Sequence, residues 1–422
     1  MATSTVNVFL VLLLCTAFPC SLVTATGTGP TLFDILHFGA KGDGTTDNTK
    51  ALLDAWRAAC DCTGENMLVI PKGEFLVQQV VLAGPCKSPV HIQLEGTLVA
   101  PTDTSHFKEA EWITFDKVTG FTLTGGGTIN GKGEAVWDKK KECKIAAHCP
   151  TRSINMKFRH LTDATLTNFT SLNPKGFHMC INNCNNVQIH DIKITAPGDS
   201  PNTDGMHISH SKDINITNSI IGTGDDCISI IQGDTNIYVT NVVCGPGHGI
   251  SVGSLGKYTN EDDVIGIFVK NCTLRNTDNG VRVKTWKGAP PSAASNINFE
   301  DVIMDNVKNP IIIDQEYCAS GRNCRGNQPS KVKLSNIHFT NIRGTSTSKN
   351  AVSMKCSPEV PCEGIELCDI DLKSATGGVP VLSECSNIKV GTKGIQFPKP
   401  CEVAAIQGGA SAGSEGGASE EE

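Results

Sequence analysis

Asn186-Val187-Gln188-Ile189-His190-Asp191-Ile192-Lys193-Ile194 is the stretch on which the reading of the fold turns. Apolar and polar residues alternate with period two, the mark of a strand with one buried face. The pattern returns as Asp213-Ile214-Asn215-Ile216-Thr217-Asn218-Ser219-Ile220-Ile221, and again as Asn236-Ile237-Tyr238-Val239-Thr240-Asn241-Val242-Val243. Weaker copies begin at Gly266, Asn296 and Lys331, and the weakest at Gly120. The first Val or Ile of the later copies, at 187, 214, 237, 267, 297 and 332, recur at a broadly regular spacing that lengthens toward the end. Strands this short at that period cannot bury an apolar face alone, so they are expected to stack as coils of a solenoid. Asn and Asp suit the bends, because they tolerate left-handed backbone and bond their own chain. The expectation is an all-β, right-handed, single-stranded parallel β-helix over residues 26–401, in preference to a β-sandwich.

One helix is expected, Asn48 to Cys60, with Asp47 placed to cap it. It would cover the open N-terminal end of the solenoid, where strand edges need hiding. Composition agrees with a globular chain: 422 residues, 39% hydrophobic, 19% charged and a formal charge of −7 exclude collagen, coiled coil and wholesale disorder. The acidic balance argues against a nucleic-acid partner. It leaves room for an acidic ligand held by local cations.

Residues Asn7 to Val23 are apolar and give way to small residues, reading as a signal peptide over residues 1–25. Pro19 and Cys20 interrupt the run too early for a transmembrane anchor, so a secreted protein without a membrane partner is expected. Removing Cys15 and Cys20 leaves 17 of 19 cysteines, mostly disulfides in an oxidising compartment, with at least one unpaired within the chain. Zinc is the competing reading for Cys60-x-Cys62 or Cys180-x3-Cys184, but no Cys-x2-Cys or His-x3-His block supports it, and no metal is expected. Asn168, Asn215 and Asn271 open glycosylation sequons. Residues 402–422, rich in Gly, Ala and Ser and ending in three Glu, read as a disordered tail.

Four blocks inside the repeats carry the chemistry. Ser200-Pro201-Asn202-Thr203-Asp204-Gly205, Gly224-Asp225-Asp226-Cys227 and Gly247-His248-Gly249 place Asp204, Asp226 and His248 at equal intervals along the chain. At one coil per interval they stack on successive rungs, ~4.8 Å apart. In the fourth block, Gly280-Val281-Arg282-Val283-Lys284, Arg282 and Lys284 project from one strand face. The longer gap from His248 to Arg282 is explained if the stretch from Lys257 to Asp263 loops out. Each block alone is an ordinary turn or exposed strand; what joins them is their common register. Clustered carboxylates repel, so one must keep its proton to higher pH, as a general acid beside a general base requires. Two Asp residues flanking a glycosidic bond are the glycoside-hydrolase arrangement, and Arg282 with Lys284 would attract a uronate carboxylate. The residues themselves lead to a secreted hydrolase of an acidic polysaccharide.

The ordered set Asn-Thr-Asp, Gly-Asp-Asp, Gly-His-Gly and Arg-x-Lys resembles the signature of the polygalacturonases, glycoside hydrolase family 28, and the similarity runs over roughly residues 31 to 401. Detail such as Gly249-Ile250-Ser251-Val252-Gly253 and Ile313-Asp314-Gln315-Glu316-Tyr317-Cys318 is most similar to the plant, pollen-type exopolygalacturonases. The resemblance implies an extracellular, wall-acting enzyme that hydrolyses α-1,4-galacturonosyl bonds of pectin with inversion. It implies Asp225 as proton donor, Asp204 and Asp226 as the pair that orients and deprotonates water, and His248 as the group setting the acid's proton state. Arg282, Lys284, Tyr317 and Asn202 would contact substrate, and Cys227 and Cys244 would form a bridge. It implies no cofactor, and a monomer is expected. Endo action, a rhamnogalacturonan hydrolase, a calcium-dependent lyase and a non-catalytic pectin-binding wall protein are the rival readings.

Overall fold

The computed structural model describes residues 29–105, 107–137, 152–318, 328–378 and 380–401. The leader and the tail expected from the sequence lie outside them. From Thr31 to Phe397 the chain winds through parallel strands, each pairing with its counterpart one coil away. A typical coil has three: Met206–Ser209, Lys212–Thr217 and Ile220–Gly222. The first of these belongs to an 11-stranded sheet and the other two to a 22-stranded sheet bent around the opposite side. This is the parallel β-helix the repeat called for.

The register shows why the repeat exists. Val187, Ile214, Ile237, Ile267 and Ile297 are Cα partners on successive coils and are fully buried. Each buried aliphatic side chain contributes about 2 kcal/mol of transfer free energy to the stack. The expected sixth member, Val332, is displaced: Ile297 pairs with Ile337, whereas Val332 pairs with Ser292. Strands Ser292–Val307 and Val332–Ser346 each run through both legs of the large sheet, so the rung begins earlier in sequence than the short copies suggest.

Positive φ marks the bends. Asp163, Asn186, Asp213, Asn236, Asn296 and Asn336 have φ of 54–57°, and Asn168, Asp191, Asn218, Asn241, Asn271, Asp301, Asn341 and Asp369 have φ of 48–56°. Left-handed backbone costs an ordinary L-residue roughly 1–2 kcal/mol, and Asn and Asp bear it best. Their amides also bond along the stack: Asn186 Nδ2 donates to Asp163 Oδ1 at 2.6 Å, and Asn236 Nδ2 to Asp213 Oδ1 at 2.9 Å.

The capping helix spans Thr49–Asp61 and turns Leu52, Ala55, Trp56 and Ala59 onto the first coils. The cap position falls on Asn48, one residue beyond the expected Asp47, yet Asp47 Oδ1 accepts the Thr49 N–H at 2.9 Å. Asn48 instead turns inward, accepting from Lys41 N and donating to the Thr46 carbonyl, each at 2.7 Å. Cys60 is bridged to Cys86, and Cys62 is also in a disulfide, so neither is left as a zinc ligand. Cys180 and Cys184 are buried free thiols. No helix among the described residues is long and apolar enough to cross a membrane.

Candidate active site

The turns that precede three neighbouring strands of the 11-stranded sheet build the site. Met206 pairs with Ile228 and Ile228 with Ile250, so Asp204, Asp226 and His248, each two residues earlier, share one row. Their even spacing in the sequence is therefore one coil. Arg282 does not continue that row: Ile250 pairs with Val281 and Ser251 with Arg282, which puts Asn279 on the row of His248. The coil there is longer than the one before it, and its excess includes the expected stretch from Lys257 to Asp263, between strands Ile250–Leu255 and Val264–Lys270, on one wall of the cleft.

The glycines around His248 are dictated by packing. Gly249 has φ 85°, and a Cβ there would lie 2.2 Å from the carbonyl oxygens of Asn279 and Gly280. At Gly247 a Cβ would come within 2.8 Å of the Asp225 carbonyl and 3.3 Å of Cys227 Sγ. Cys227 is bonded to Cys244, with the Cα atoms 6.0 Å apart, which ties the Asp225-Asp226 turn to the following coil.

Each carboxylate has its own surroundings. Asp225 Oδ1 lies 2.9 Å from His248 Nδ1 and accepts the Asp226 N–H at 2.8 Å, while Oδ2 accepts from Asn202 Nδ2 at 3.0 Å. Burial pushes its pKa up, but the hydrogen bond and charge of His248 outweigh this and hold it below the ordinary Asp value. The same hydrogen bond raises the pKa of His248, against burial. His248 Nε2 is also 3.7 Å from Asp278 Oδ2. Asp204 is the reverse case: burial, then the charges of Asp225 and Asp226, drive its pKa well above the ordinary value.

Asp226 is neutralised from two sides. Its Oδ1 accepts from Arg282 Nη2 at 2.7 Å and Ser251 Oγ at 2.9 Å, and its Oδ2 accepts from Lys284 Nζ at 2.7 Å. Arg282 Nε donates to Ser251 Oγ at 3.0 Å, closing the network. The sequence reading gave Arg282 and Lys284 to a substrate carboxylate; in the free protein they are spent on Asp226. Ser251 enters the sequence reading only as family detail, without a role, since nothing in its context marks it as a partner of Asp226. Lys284 Nζ also lies 5.1 Å from the centroid of Tyr317, whose ring meets Trp286 edge-on at 5.2 Å. Arg152 Nη1 hydrogen-bonds Asn202 Oδ1, a contact between distant parts of the chain that no local motif announces.

An open cleft crosses the sheet in two halves. His207, Gln232, Lys257, Tyr258, Glu261 and Trp286 line one, with Asp204 and Asp226 at its floor. The other is lined by His248, Asp278, Asn279, Arg282, Lys308 and Asn309 and is the more cationic. Asn202, Asp225, Lys284 and Tyr317 line both, and Asp225 is the one carboxylate of the three that does. In the first half, His207 Nδ1, Gln232 Oε1 and Trp286 Nε1 are buried without a partner among the described residues, as polar atoms awaiting a ligand would be.

Asp225, Asp226 and His248 bring ligand atoms within 4.8 Å of one another, close enough to consider a metal. A cation there would have to displace Lys284 and Arg282 from Asp226 and the His248 proton from Asp225. The donor set therefore fits ion pairs better than a metal.

The model of "Glycosyl hydrolases family 28" matches residues 60–394. A "Polygalacturonase" of Nicotiana tabacum is 46% identical over 89% of this chain and 93% of its own length. An "Exopolygalacturonase" of Platanus acerifolia is 46% identical over 87% and 97%. Among solved structures, an exopolygalacturonase from Thermotoga maritima superposes with a TM-score of 0.70 at 19% identity, over 87% of this chain and 94% of that one, a likeness of fold. A family model spanning most of the coils, with relatives this similar along nearly their whole length, makes the chain a member of glycosyl hydrolases family 28.

Proposed function

We propose that the protein is a secreted, monomeric enzyme that hydrolyses α-1,4-galacturonosyl bonds of pectin in the cell wall, from chain ends and with inversion. The observation that carries this reading is Asp225 at the junction of the two cleft halves. A glycosidic oxygen lying across that junction would meet Asp225, which donates the proton to the leaving group. A galacturonate carboxylate suits the half with Arg282 and Lys308. On the other side Asp204 and Asp226 form the pair that orients the attacking water and takes its proton. Asp226 orients that water but is a poor nucleophile, because three hydrogen bonds from Arg282, Lys284 and Ser251 hold its oxygens. That argues for direct attack by water, and so for inversion.

Proton state and geometry pull apart here. In the free protein the raised pKa belongs to Asp204 and the lowered one to Asp225. Taken alone, that would make Asp204 the acid. Geometry favours Asp225, because Asp204 lines only one half of the cleft. Substrate supplies the missing shift: it expels water from around Asp225 and brings anionic groups near, both of which raise a carboxyl pKa. The protein should accordingly work best at acid pH. Secretion is supported by the apolar leader, the sequons and the disulfides, and end-on action by the names of relatives such as the Platanus protein.

The test is the product profile from polygalacturonic acid, by chromatography with reducing-end release, and proton NMR of the first anomer formed. Monogalacturonate at the earliest times, released as the β-anomer, is expected. Early mixed oligomers with a rapid viscosity drop would overturn exo action, and an initial α-anomer would overturn inversion. An unsaturated product would make it a lyase.

A further inference from the structure

The outer face of the large sheet carries one aromatic pair that the site does not use. Tyr238 and Phe268 occupy partner positions on adjacent coils, with ring centroids 5.1 Å apart and planes within 11°. Tyr238 is 43% exposed, although the neighbouring Ile237 and Val239 are fully buried. One coil on the other side of Tyr238, its partner position is Asn215, and the one beyond is Gln188. The row thus runs Gln188, Asn215, Tyr238, Phe268 along the solenoid axis. The two rings rise from adjacent rungs and lie parallel, so Phe268 covers one face of Tyr238. The other face is turned toward the rung of Asn215.

Asn215 begins the sequon Asn215-Ile216-Thr217. We infer that Asn215 carries an N-linked glycan whose first sugar packs on the free face of Tyr238. The inference rests on the secretion proposed above. In the linking step the Asn215 amide nitrogen attacks the anomeric carbon of a preassembled oligosaccharide on a lipid pyrophosphate. The nitrogen loses one proton and the lipid pyrophosphate leaves. The remaining N–H suffices for the bond that Asn215 Nδ2 makes to Gln188 Oε1 at 3.1 Å. The apolar C–H face of a pyranose then meets the ring one rung away, at a spacing that suits van der Waals contact.

Among the described residues, no stacked pair of rings stands in the rows of the other two sequons. Asn168 and Asn271 sit at left-handed bends, with φ 49° and 52°. Asn271 Nδ2 bonds Asn241 Oδ1 at 2.5 Å much as Asn215 bonds Gln188, so the sites differ in their surroundings and not in the amide. A glycan there would hang from a corner, whereas one at Asn215 lies over a sheet and covers its most exposed aromatic residue.

The full chain, expressed through a eukaryotic secretory host, provides the test. Glycopeptide mass spectrometry should find Asn215 occupied. Trimming the glycan to its first N-acetylglucosamine should leave Tm unchanged, while Asn215→Gln should lower it by about 2 °C. Tyr238→Thr should cause a similar loss in the glycosylated protein and almost none in Asn215→Gln, because the two act through one contact. Additive losses would overturn the packing. An empty Asn215 beside occupied Asn168 or Asn271 would overturn the site, and an empty Asn215 with a dimer that Tyr238→Thr dissolves would give the face to a second copy. A chain retained in the cytosol and bare at all three would overturn the secretion reading, and this inference with it.

Discussion

Two stacks of side chains run along the same solenoid and obey the same register, yet one stabilises the coil and the other strains it. At the bends, Asn241 donates to Asn218 at 3.2 Å and accepts from Asn271 at 2.5 Å, and Asn341 donates to Asp301 at 2.6 Å. An amide both gives and takes, so identical positions on successive rungs satisfy each other indefinitely. In the cleft the stacked groups are Asp204 and Asp226, with Asp225 beside them, and acceptors stacked on acceptors repel. Compensation has to come from groups other than carboxylates: Lys284, Arg282 and Ser251 from the next rungs serve Asp226, His248 at the end of the row serves Asp225, and Asp204 is left with a raised pKa. Regular stacking is thus the scaffold's own solution, and its local violation is the reactive part.

The largest effect should come from breaking the reactive stack where it meets substrate. Asp225→Asn removes the transferable proton but keeps an oxygen for the Asp226 N–H, losing only the bond that Asn202 gives to the other oxygen. Galacturonate release should fall about 10²- to 10⁴-fold, with an unchanged melting curve. A folded variant with full activity would end the assignment of Asp225. Next is the compensation itself. Lys284→Met leaves Asp226, 2% exposed, with Arg282 and Ser251 alone; breaking a buried pair costs about 3–5 kcal/mol. Denaturant unfolding should show that loss without substrate present. If only substrate affinity changed, Lys284 would be a substrate clamp after all, as the sequence alone suggested. Third, the bend stack should prove to be backbone accommodation more than hydrogen bonding. Asn241→Ala loses both side-chain bonds and puts at φ 56° a residue that bears left-handed backbone less well than Asn, costing about 1–2 kcal/mol. Asn241→Gly loses the same bonds and should cost less; equal losses would mean the bonds dominate.

The two stacks were not equally legible. The bend stack is periodic, so Asn186, Asp213 and Asn236 announce both the fold and the row they occupy. The row of Asp204, Asp226 and His248 was legible for the same reason, since the coils that carry it are equal in length. Legibility failed where coil length changed. Arg282 falls on the row of Ser251 because sequence spacing counts loop residues and coil residues alike. Val332 lost its place to Ile337 because a 15-residue strand carries no mark of where its rung begins. Electrostatic partnership was less legible still. That Lys284 serves Asp226 depends on a meeting of two distant stretches of chain, and Arg-x-Lys reads the same whether it faces substrate or its own protein.

The smallest expected effect on stability is also the sharpest contrast between the stacks. Asp204 has a folded-state pKa above its ordinary value, from burial and from Asp225 and Asp226. Below the ordinary Asp value of about 3.9 the group is protonated both folded and unfolded, and costs nothing. As pH rises through the folded-state value the unfolded chain has already released its proton, so stability falls and stays lower. His248 pulls in the same direction, because its pKa is raised too: stability present below about 6.5 is lost as pH climbs past the folded value. Asp204→Asn turns one acceptor of the reactive stack into the donor-acceptor that the bends use. It should abolish activity and yet raise Tm at pH 7 by about 1–3 °C, with the gain vanishing near pH 4. A variant less stable than wild type at pH 7 would mean that Asp204 is not strained, and that the cleft differs from the bends only in its chemistry.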